Sequence, residues 1–521
     1  QAICMSAFLS VGFCCKSLVL LLIWTEAYNE DSLRVNDESD FNLALVAIRK
    51  LRGRSIHVHY DAGGSTRLTD RDLGKPDPFV LHYAAMDNSN ASTFSDWVSS
   101  HNWKFSPHKH RQNWEAIPII EQRLLPFLIM EPVVEAASNA QPPPLVQIPD
   151  GCSEHQDVFA GARPAPVAMI DMFMFGYEAD TLEVRLHEYA DIVDMFVILE
   201  PEVSFWGVPR SVMWDHLRTQ TRFKPFLKKV LHIVFTADHF GADKSNATWF
   251  PFTQENTVGN LTKKMLPDML DALGLTKESV VINFGDTDEV TSRNNMHLMK
   301  HCQPKRMPVD SAIWYAPGRA DYAYQSDFPV AGMPWSFGDP TFQLANNFSG
   351  HGRGRSGPYL LGGMHMTGYT YLPFWIMKAI STSDSRGIPD FAEKLLSVGL
   401  LKDLSKSLHD MRAISESAHE RHHMYNVVLL EDLYKLSPKY KEMVHWPWFL
   451  KANADRYPTW WGRDDPRNYA KVKREHRMPA DSPVAATDQS LQVDFDGALK
   501  ERKSMKSSRL LRSGWMDRAH T

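Results

Sequence analysis

Between Val167 and Phe284 the chain alternates short apolar runs with amphipathic segments, and this pattern limits the possible folds more than any other feature. Val167–Phe175 (VAMIDMFMF), Val193–Leu199 (VDMFVIL), Val230–Phe235 (VLHIVF) and Val280–Phe284 (VVINF) are short and almost wholly apolar, as strands buried on both faces must be. Glu178–Ala190 sets Leu182, Val184, Leu186 and Tyr189 among charges, and Leu261–Leu273 also reads as a helix. Strands alternating with helices predict βαβ units, hence an α/β fold with a mostly parallel central sheet. Ligands of such sheets bind beyond the carboxyl ends of the strands. Here those ends are Gly176–Asp180, Glu200–Phe205, Thr236–Phe240 and Gly285–Val290.

The rest of the composition narrows the class. Over 521 residues, 43% are apolar and 23% charged. This excludes a mostly disordered, collagenous or polytopic membrane chain. A net charge of −5 leaves no broad basic footprint, so no nucleic-acid partner is expected. Of the 5 cysteines, Cys4, Cys14 and Cys15 crowd the start, which rules out a zinc ribbon or a dense disulfide framework. Cys152 and Cys302 can pair in an oxidising lumen.

Ala2–Trp24 is apolar apart from Lys16 and a few small polar residues. It has the length of one membrane span, so residues 1–25 are expected to be a membrane anchor or signal. Residues 26–135 form an uncharacterised region without a motif, and 136–165, with Pro142-Pro143-Pro144, reads as a Pro-rich linker. The folded unit is expected over 166–470, able to fold without 1–150, with helical composition across 390–437. Residues 471–521 form a polar basic tail. Asn-x-Ser/Thr sequons at Asn90, Asn246, Asn260 and Asn347 suit a secretory lumen.

Three motifs can carry chemistry. Asp286-Thr287-Asp288 directly follows the Val280–Phe284 strand. Two carboxylates at a strand end can converge on one hard cation, which would offset the charge of a leaving diphosphate. His419-Glu420-Arg421-His422-His423 formally fits a zinc-binding helix with Glu420 as base. Its polar neighbours favour a solvated face, so a zinc hydrolase using His419, Glu420 and His423 is the weaker reading. Gly362-Gly363-Met364-His365 sets a histidine among glycines, suited to a sugar or phosphate and equally to a structural loop.

In their order along the chain, several segments resemble glycosyltransferase family 17. They are Asp171–Glu188 with Val193–Glu200, Phe205-Trp-Gly-Val-Pro209, Arg222-Phe-x-Pro-Phe, Gly285-Asp-Thr-Asp-Glu-Val-Thr-Ser-Arg293, Gly363-Met-His-Met-Thr367 and Trp446–Tyr457. The likeness covers roughly 167–465. It implies a GT-A-type nucleotide-sugar-binding domain that moves N-acetylglucosamine from UDP-GlcNAc to a mannose hydroxyl of a glycoprotein N-glycan, with inversion. It further implies a Golgi membrane protein, single-pass, with its catalytic domain in the lumen. Asp286 and Asp288 would hold Mn²⁺ or Mg²⁺. Glu255 and Glu200 are the candidate bases, and Arg293 and His365 would touch donor or acceptor. Glu178, Asp180, Glu183 and Arg185 read instead as helix-surface and packing ion pairs. The sequence departs from the family where Val258-Gly259 replace a Gln-Arg pair, Met364 a Trp and Thr291 a Pro. A catalytically inactive glycan- or UDP-binding protein of the same fold is therefore the alternative.

Overall fold

The computed structural model describes residues 32–35, 57–60, 117–205, 209–235, 252–316, 319–325, 337–350, 358–366, 371–381, 426–436 and 444–469. Its strands are β1 Ser32–Val35, β2 His57–Tyr60, β3 Phe159–Ala162, β4 Ala168–Met174, β5 Met195–Pro201, β6 Val230–Phe235 and β7 Val280–Asp286. There follow β8 Glu289–Thr291, β9 Cys302–Pro304, β10 Val309–Ala316, β11 Tyr322–Gln325, β12 Phe337–Leu344, β13 Tyr359–Met366 and β14 Asn426–Leu429. The α-helices are α1 Ile117–Leu128, α2 Asp150–Glu154, α3 Ala179–Tyr189, α4 Met213–Leu217, α5 Phe252–Leu273, α6 Arg293–His301, α7 Leu372–Ser381, α8 Leu430–Leu436 and α9 Trp448–Ala452.

A 10-stranded sheet runs in the order β1-β2-β6-β5-β4-β7-β12-β10-β13-β8. From β1 to β7 every neighbouring pair is parallel. Beyond β7, strands β12, β10 and β8 pair antiparallel, while β10 and β13 are parallel. The expected α/β architecture with a mostly parallel centre is therefore present. Met174 of β4 lies level with Leu199 of β5 and Asp286 of β7. That register aligns the carboxyl ends of three strands along one edge.

Side chains alternate across β4 because a strand has a period of two. Met169 and Phe173 enter a core with Leu182, Leu186 and Tyr189 of α3. Ile170, Met172 and Met174 enter a second core with Val258, Leu261, Met265 and Met269 of α5. The α5 positions recur every three or four residues, which makes one apolar helical stripe. This helix starts well before the expected Leu261.

The segment expected to be a linker, 136–165, is tied to the fold, with its buried residues in the second half. It carries α2 and β3, and β3 pairs with β9. Buried Cys152 is joined to Cys302 by a disulfide, Cα–Cα 5.6 Å. Further upstream, Glu121 of α1 accepts the Tyr177 hydroxyl at 2.8 Å, and Ala137 N–H donates to Asn453 Oδ1 at 2.7 Å. Proline-rich composition predicted a spacer; Pro143, Pro144 and Pro149 are indeed exposed, while Leu145, Val146 and Ile148 between them pack against the core.

Two further expectations meet the structure only in part. Of 390–437, residues 426–436 are described, and they form β14 and α8 rather than one helix. Ala2–Trp24, His419–His423 and the tail 471–521 lie outside the described residues. Among the described residues no helix is long and apolar enough to cross a membrane.

A fragment from Trp114 to Ala470 should unfold in one cooperative urea transition. One from Pro166 to Ala470 loses α1, β3 and half of the disulfide, and should unfold non-cooperatively or aggregate. Equal cooperativity of the two fragments would restore the boundary at residue 166.

Candidate active site at the carboxyl edge of the sheet

The Asp286–Glu289 turn leaves β7 and re-enters the sheet as β8. A buried arginine shapes it. Arg185 of α3 donates from Nη1 to the carbonyls of Asp286 at 2.6 Å, Glu289 at 2.8 Å and Thr287 at 3.3 Å. Its Nε and Nη2 grip Asp171 of β4, both at 2.8 Å. Asn283 of β7 donates a third bond to the same carboxylate at 2.8 Å. Burial alone would make the guanidinium easier to deprotonate, but Asp171 holds it above its ordinary range. Thr287 completes the turn: its N–H, at 3.0 Å, and its hydroxyl, at 2.6 Å, both donate to the Met174 carbonyl. The carboxylate of Glu289 accepts the Asp286 N–H at 2.7 Å. Gly285 is needed here, since a Cβ would lie 2.6 Å from that carboxylate.

The two aspartates occupy different settings. Asp286 is half-buried and follows Phe284 by strand alternation onto the α5 face. Asp288 is only 3% exposed, so the strand end is not open there. One of its carboxylate oxygens contacts Lys378 Nζ of α7 and lies 3.6 Å from His365 Nε2. Lys378 also reaches Glu178 Oε1 at 3.1 Å. Burial would raise the Asp288 carboxyl, but Lys378 and His365 together hold it below the usual carboxylate range.

His365 arrives through β13. Pairing with β10 slips by one residue between Ala312 and Trp314, at Gly362-Gly363. Gly363 has φ +134°, and a Cβ there would meet the Val290 carbonyl oxygen at 2.5 Å. This glycine bulge re-aims the strand, setting His365 opposite Glu289 and the Met366 N–H on the Asp288 carbonyl at 2.6 Å. The imidazole edge packs on Tyr315, centroids 4.4 Å apart.

Of the other expected residues, Glu200 and Arg293 are tied into the fold. Glu200 ends β5, two strands and roughly 10 Å from β7 at ordinary strand spacing. Its oxygens accept from Arg210 at 2.8 Å, the Met213 N–H at 2.6 Å and the Trp214 N–H at 3.1 Å, with His232 Nε2 at 3.1 Å. Burial pushes its carboxyl up to about 7 despite Arg210 and the two amides. Glu255 is buried in the first turn of α5, on the opposite face of the sheet from Ile198 and its neighbours. Arg293 grips Asp191 at 2.8 and 2.9 Å and the Glu188 carbonyl at 2.7 Å, clamping α6 to the end of α3. At the family departure, Val258 is fully buried, and the Gly259 backbone is approached closely by Gly350.

Sequence reasoning missed Lys378 and placed Glu178 among packing ion pairs. Asp180, Glu183 and Arg185 are such pairs, with Arg222, Arg456, Arg467 and Asp171. Glu178 differs, turning toward Lys378 and the Asp288 turn. The signal for Lys378 was faint: one lysine in the apolar Leu372–Ser381 helix.

The sheet, with Asp286 and Asp288 at and just past the end of β7, defines an α/β protein with a mostly parallel centre. Residues 146–353 match the family model of Glycosyltransferase family 17. The matched stretch contains Glu178, Glu200, Glu255, Asp286, Asp288 and Arg293, while His365 and Lys378 follow it. Among curated proteins, the chain is similar to β-1,4-mannosyl-glycoprotein 4-β-N-acetylglucosaminyltransferase of Rattus norvegicus and of Homo sapiens. Each is 27% identical over 138 residues, 26% of this chain and 24% of the relative. The Mus musculus protein of that name is 26% identical over the same length. The alignment thus spans about a quarter of the length of these relatives.

Arg185→Leu leaves the buried Asp171 carboxylate with the Asn283 amide but no counter-charge. This should cost ~3–5 kcal/mol in urea unfolding, and Asp171→Leu in the same chain should recover part of the loss. A loss under 1 kcal/mol would show that the turn does not depend on this pair.

Proposed function

We propose that this chain is an inverting glycosyltransferase, a hexosyltransferase moving N-acetylglucosamine from UDP-GlcNAc to a β-linked mannose of a glycoprotein N-glycan. The observation that carries this reading is the Asp286–Glu289 turn, held by Arg185 at the carboxyl edge of the sheet inside the family-matched stretch. The names of the relatives supply the donor sugar and the acceptor class.

The donor set suits a hard cation in its chemistry. Asp288 and Glu178 offer carboxylate oxygens and His365 a ring nitrogen around one positive charge, the Lys378 ammonium. Among the described residues no three His, Cys, Asp or Glu side chains are grouped to hold a metal as they stand. Asp288, with Asp286 and His365, would hold Mn²⁺ or Mg²⁺, and such an ion supplies positive charge to the departing diphosphate. Arg185 fixes the turn and so orients Asp288. An α-linked donor and a β-linked product require attack on the face opposite the leaving group. A carboxylate must then accept the acceptor hydroxyl's proton. Glu255, in the first turn of α5, and Glu200, on β5, are the two carboxylates proposed for that role. Arg293 is assigned to packing, because Asp191 and the Glu188 carbonyl engage it.

The Golgi lumen is the proposed compartment, reached through the apolar N-terminal segment. The Cys152–Cys302 disulfide suits an oxidising lumen, and the sequon residues Asn260 and Asn347 are exposed. One feature favours the alternative of an inactive glycan- or UDP-binding protein: Val258-Gly259 fill with packing a place where the family resemblance sets a cation.

Incubation with a panel of UDP-sugars and N-glycan acceptors decides between the two. Transfer should be selective for UDP-GlcNAc, be lost with chelator and return with Mn²⁺. Asp288→Asn should lower it by roughly 10²–10⁴-fold, the equivalent of several kcal/mol of charge stabilisation. UDP binding without turnover of any donor would establish the inactive binder.

A further inference from the structure

Lys378 has no part in the function as derived so far, yet it sits at the centre of the site. Its ammonium contacts Asp288 and Glu178 together, and all three side chains are nearly buried, at 15%, 5% and 8% exposure. His365 stands 3.6 Å from the same Asp288 oxygen. Its other ring nitrogen, Nδ1, is buried and has no hydrogen-bond partner among the described residues. Two buried carboxylates cannot face each other without a cation between them, since like charges in a low-dielectric setting repel strongly. Lysine meets this need with one charge on a flexible four-carbon stem. A divalent ion meets it with two charges, and needs the same oxygens to do so.

We propose that Lys378 is the internal cation that Asp288 exchanges for the divalent metal, and that the displaced ammonium then engages the nucleotide diphosphate. This rests on the reading of Asp288 as a metal-holding residue. Asp288 cannot give the same oxygen fully to an ammonium and to a metal. Metal entry alone must therefore take one of the two carboxylates from Lys378 and leave the ammonium with Glu178, and a buried ammonium that loses part of its compensation is costly. A diphosphate removes that cost, because it offers charge-assisted bonds to the released ammonium. Metal and nucleotide consequently bind with positive coupling, and by linkage each raises the other's affinity by the same factor. The site stays closed to free metal and opens to the metal–nucleotide pair.

The test measures Mn²⁺ binding from the spin-resonance signal of free aquated Mn²⁺, with and without UDP. Wild type should bind Mn²⁺ weakly alone and at least ~10-fold more tightly with UDP, a coupling of about 1.4 kcal/mol. Lys378→Met, which keeps the stem and drops the charge, should bind Mn²⁺ alone at least tenfold more tightly than wild type. Its UDP affinity in saturating Mn²⁺ should be at least tenfold weaker. Lys378→Met with Asp288→Asn should lose the tightened Mn²⁺ binding. Acylation of lysines followed by mass spectrometry reads the exchange in wild type without any variant. Lys378 should be protected in the free protein, labelled more with Mn²⁺ alone and protected again with Mn²⁺ and UDP. Mn²⁺ binding to Lys378→Met that is absent or no tighter than to wild type would overturn the proposal, as would Lys378 labelling indifferent to Mn²⁺ and UDP. Tightened Mn²⁺ binding in a chain that transfers no sugar would uphold the exchange and refute the transferase.

Discussion

The structure depends on one buried ion pair, Arg185 with Asp171. Neither side chain has measurable exposure. An isolated charge at this depth would be prohibitive, so each requires the other. What makes the pair more than mutual compensation is the geometry of the guanidinium. Its fork has five donors in one plane. Two go to Asp171, and Nη1 goes to three carbonyls of the Asp286–Glu289 turn. Helix α3, strand β4 and the turn after β7 are thereby tied to one point. A lysine there would keep the charge and lose the fork.

A second layer of buried charge joins distant parts of the chain to the same helix. Asp180 of α3 receives Arg222 at 2.8 Å and Arg467 at 2.5 Å, and Glu183 receives Arg456 at 2.7 Å. Arg467 also lies over the Tyr371 ring, 3.9 Å from its centroid. Arg456 and Arg467 donate in addition to carbonyls of Val134 and Met130. The segment after α1 and the segment after α9 therefore meet at α3, although more than three hundred residues separate them. Such pairs contribute little net stability against a well-packed apolar alternative. Their contribution is to fix which segments meet, and this positions the elements that frame the site.

The fold was largely legible in the sequence, and for a physical reason. Strands buried on both faces must be short and apolar, and β4, β5, β6 and β7 have no other plausible state. The early start of α5 was hidden because Gly259 and Asn260 are poor helix formers; packing of Val258 into the core overrides them. The packed state of 136–165 was hidden because a proline-rich composition looks the same whether the backbone crosses solvent or a protein surface. The position of Asp286 and Asp288 at a strand end was readable from the apolar run before them. Lys378 was not, because what joins it to Asp288 is tertiary proximity across ninety residues. The hydrogen bonds of Glu200 and Arg293 were hidden in the same way. The charge and position of these two residues suggested chemistry, and their surroundings are hydrogen-bond donors and acceptors of the fold itself.

The central claim is that a sugar-nucleotide diphosphate binds where the Arg185-held turn presents Asp288 at the carboxyl edge of the sheet. The most direct measurement is a crystal structure of the chain with UDP and Mn²⁺. The account predicts Mn²⁺ bonded to Asp288, the diphosphate on that ion, and Lys378 turned from Asp288 onto a phosphate oxygen. A nucleotide bound elsewhere, or Mn²⁺ absent from Asp288 while UDP is in place, would contradict it.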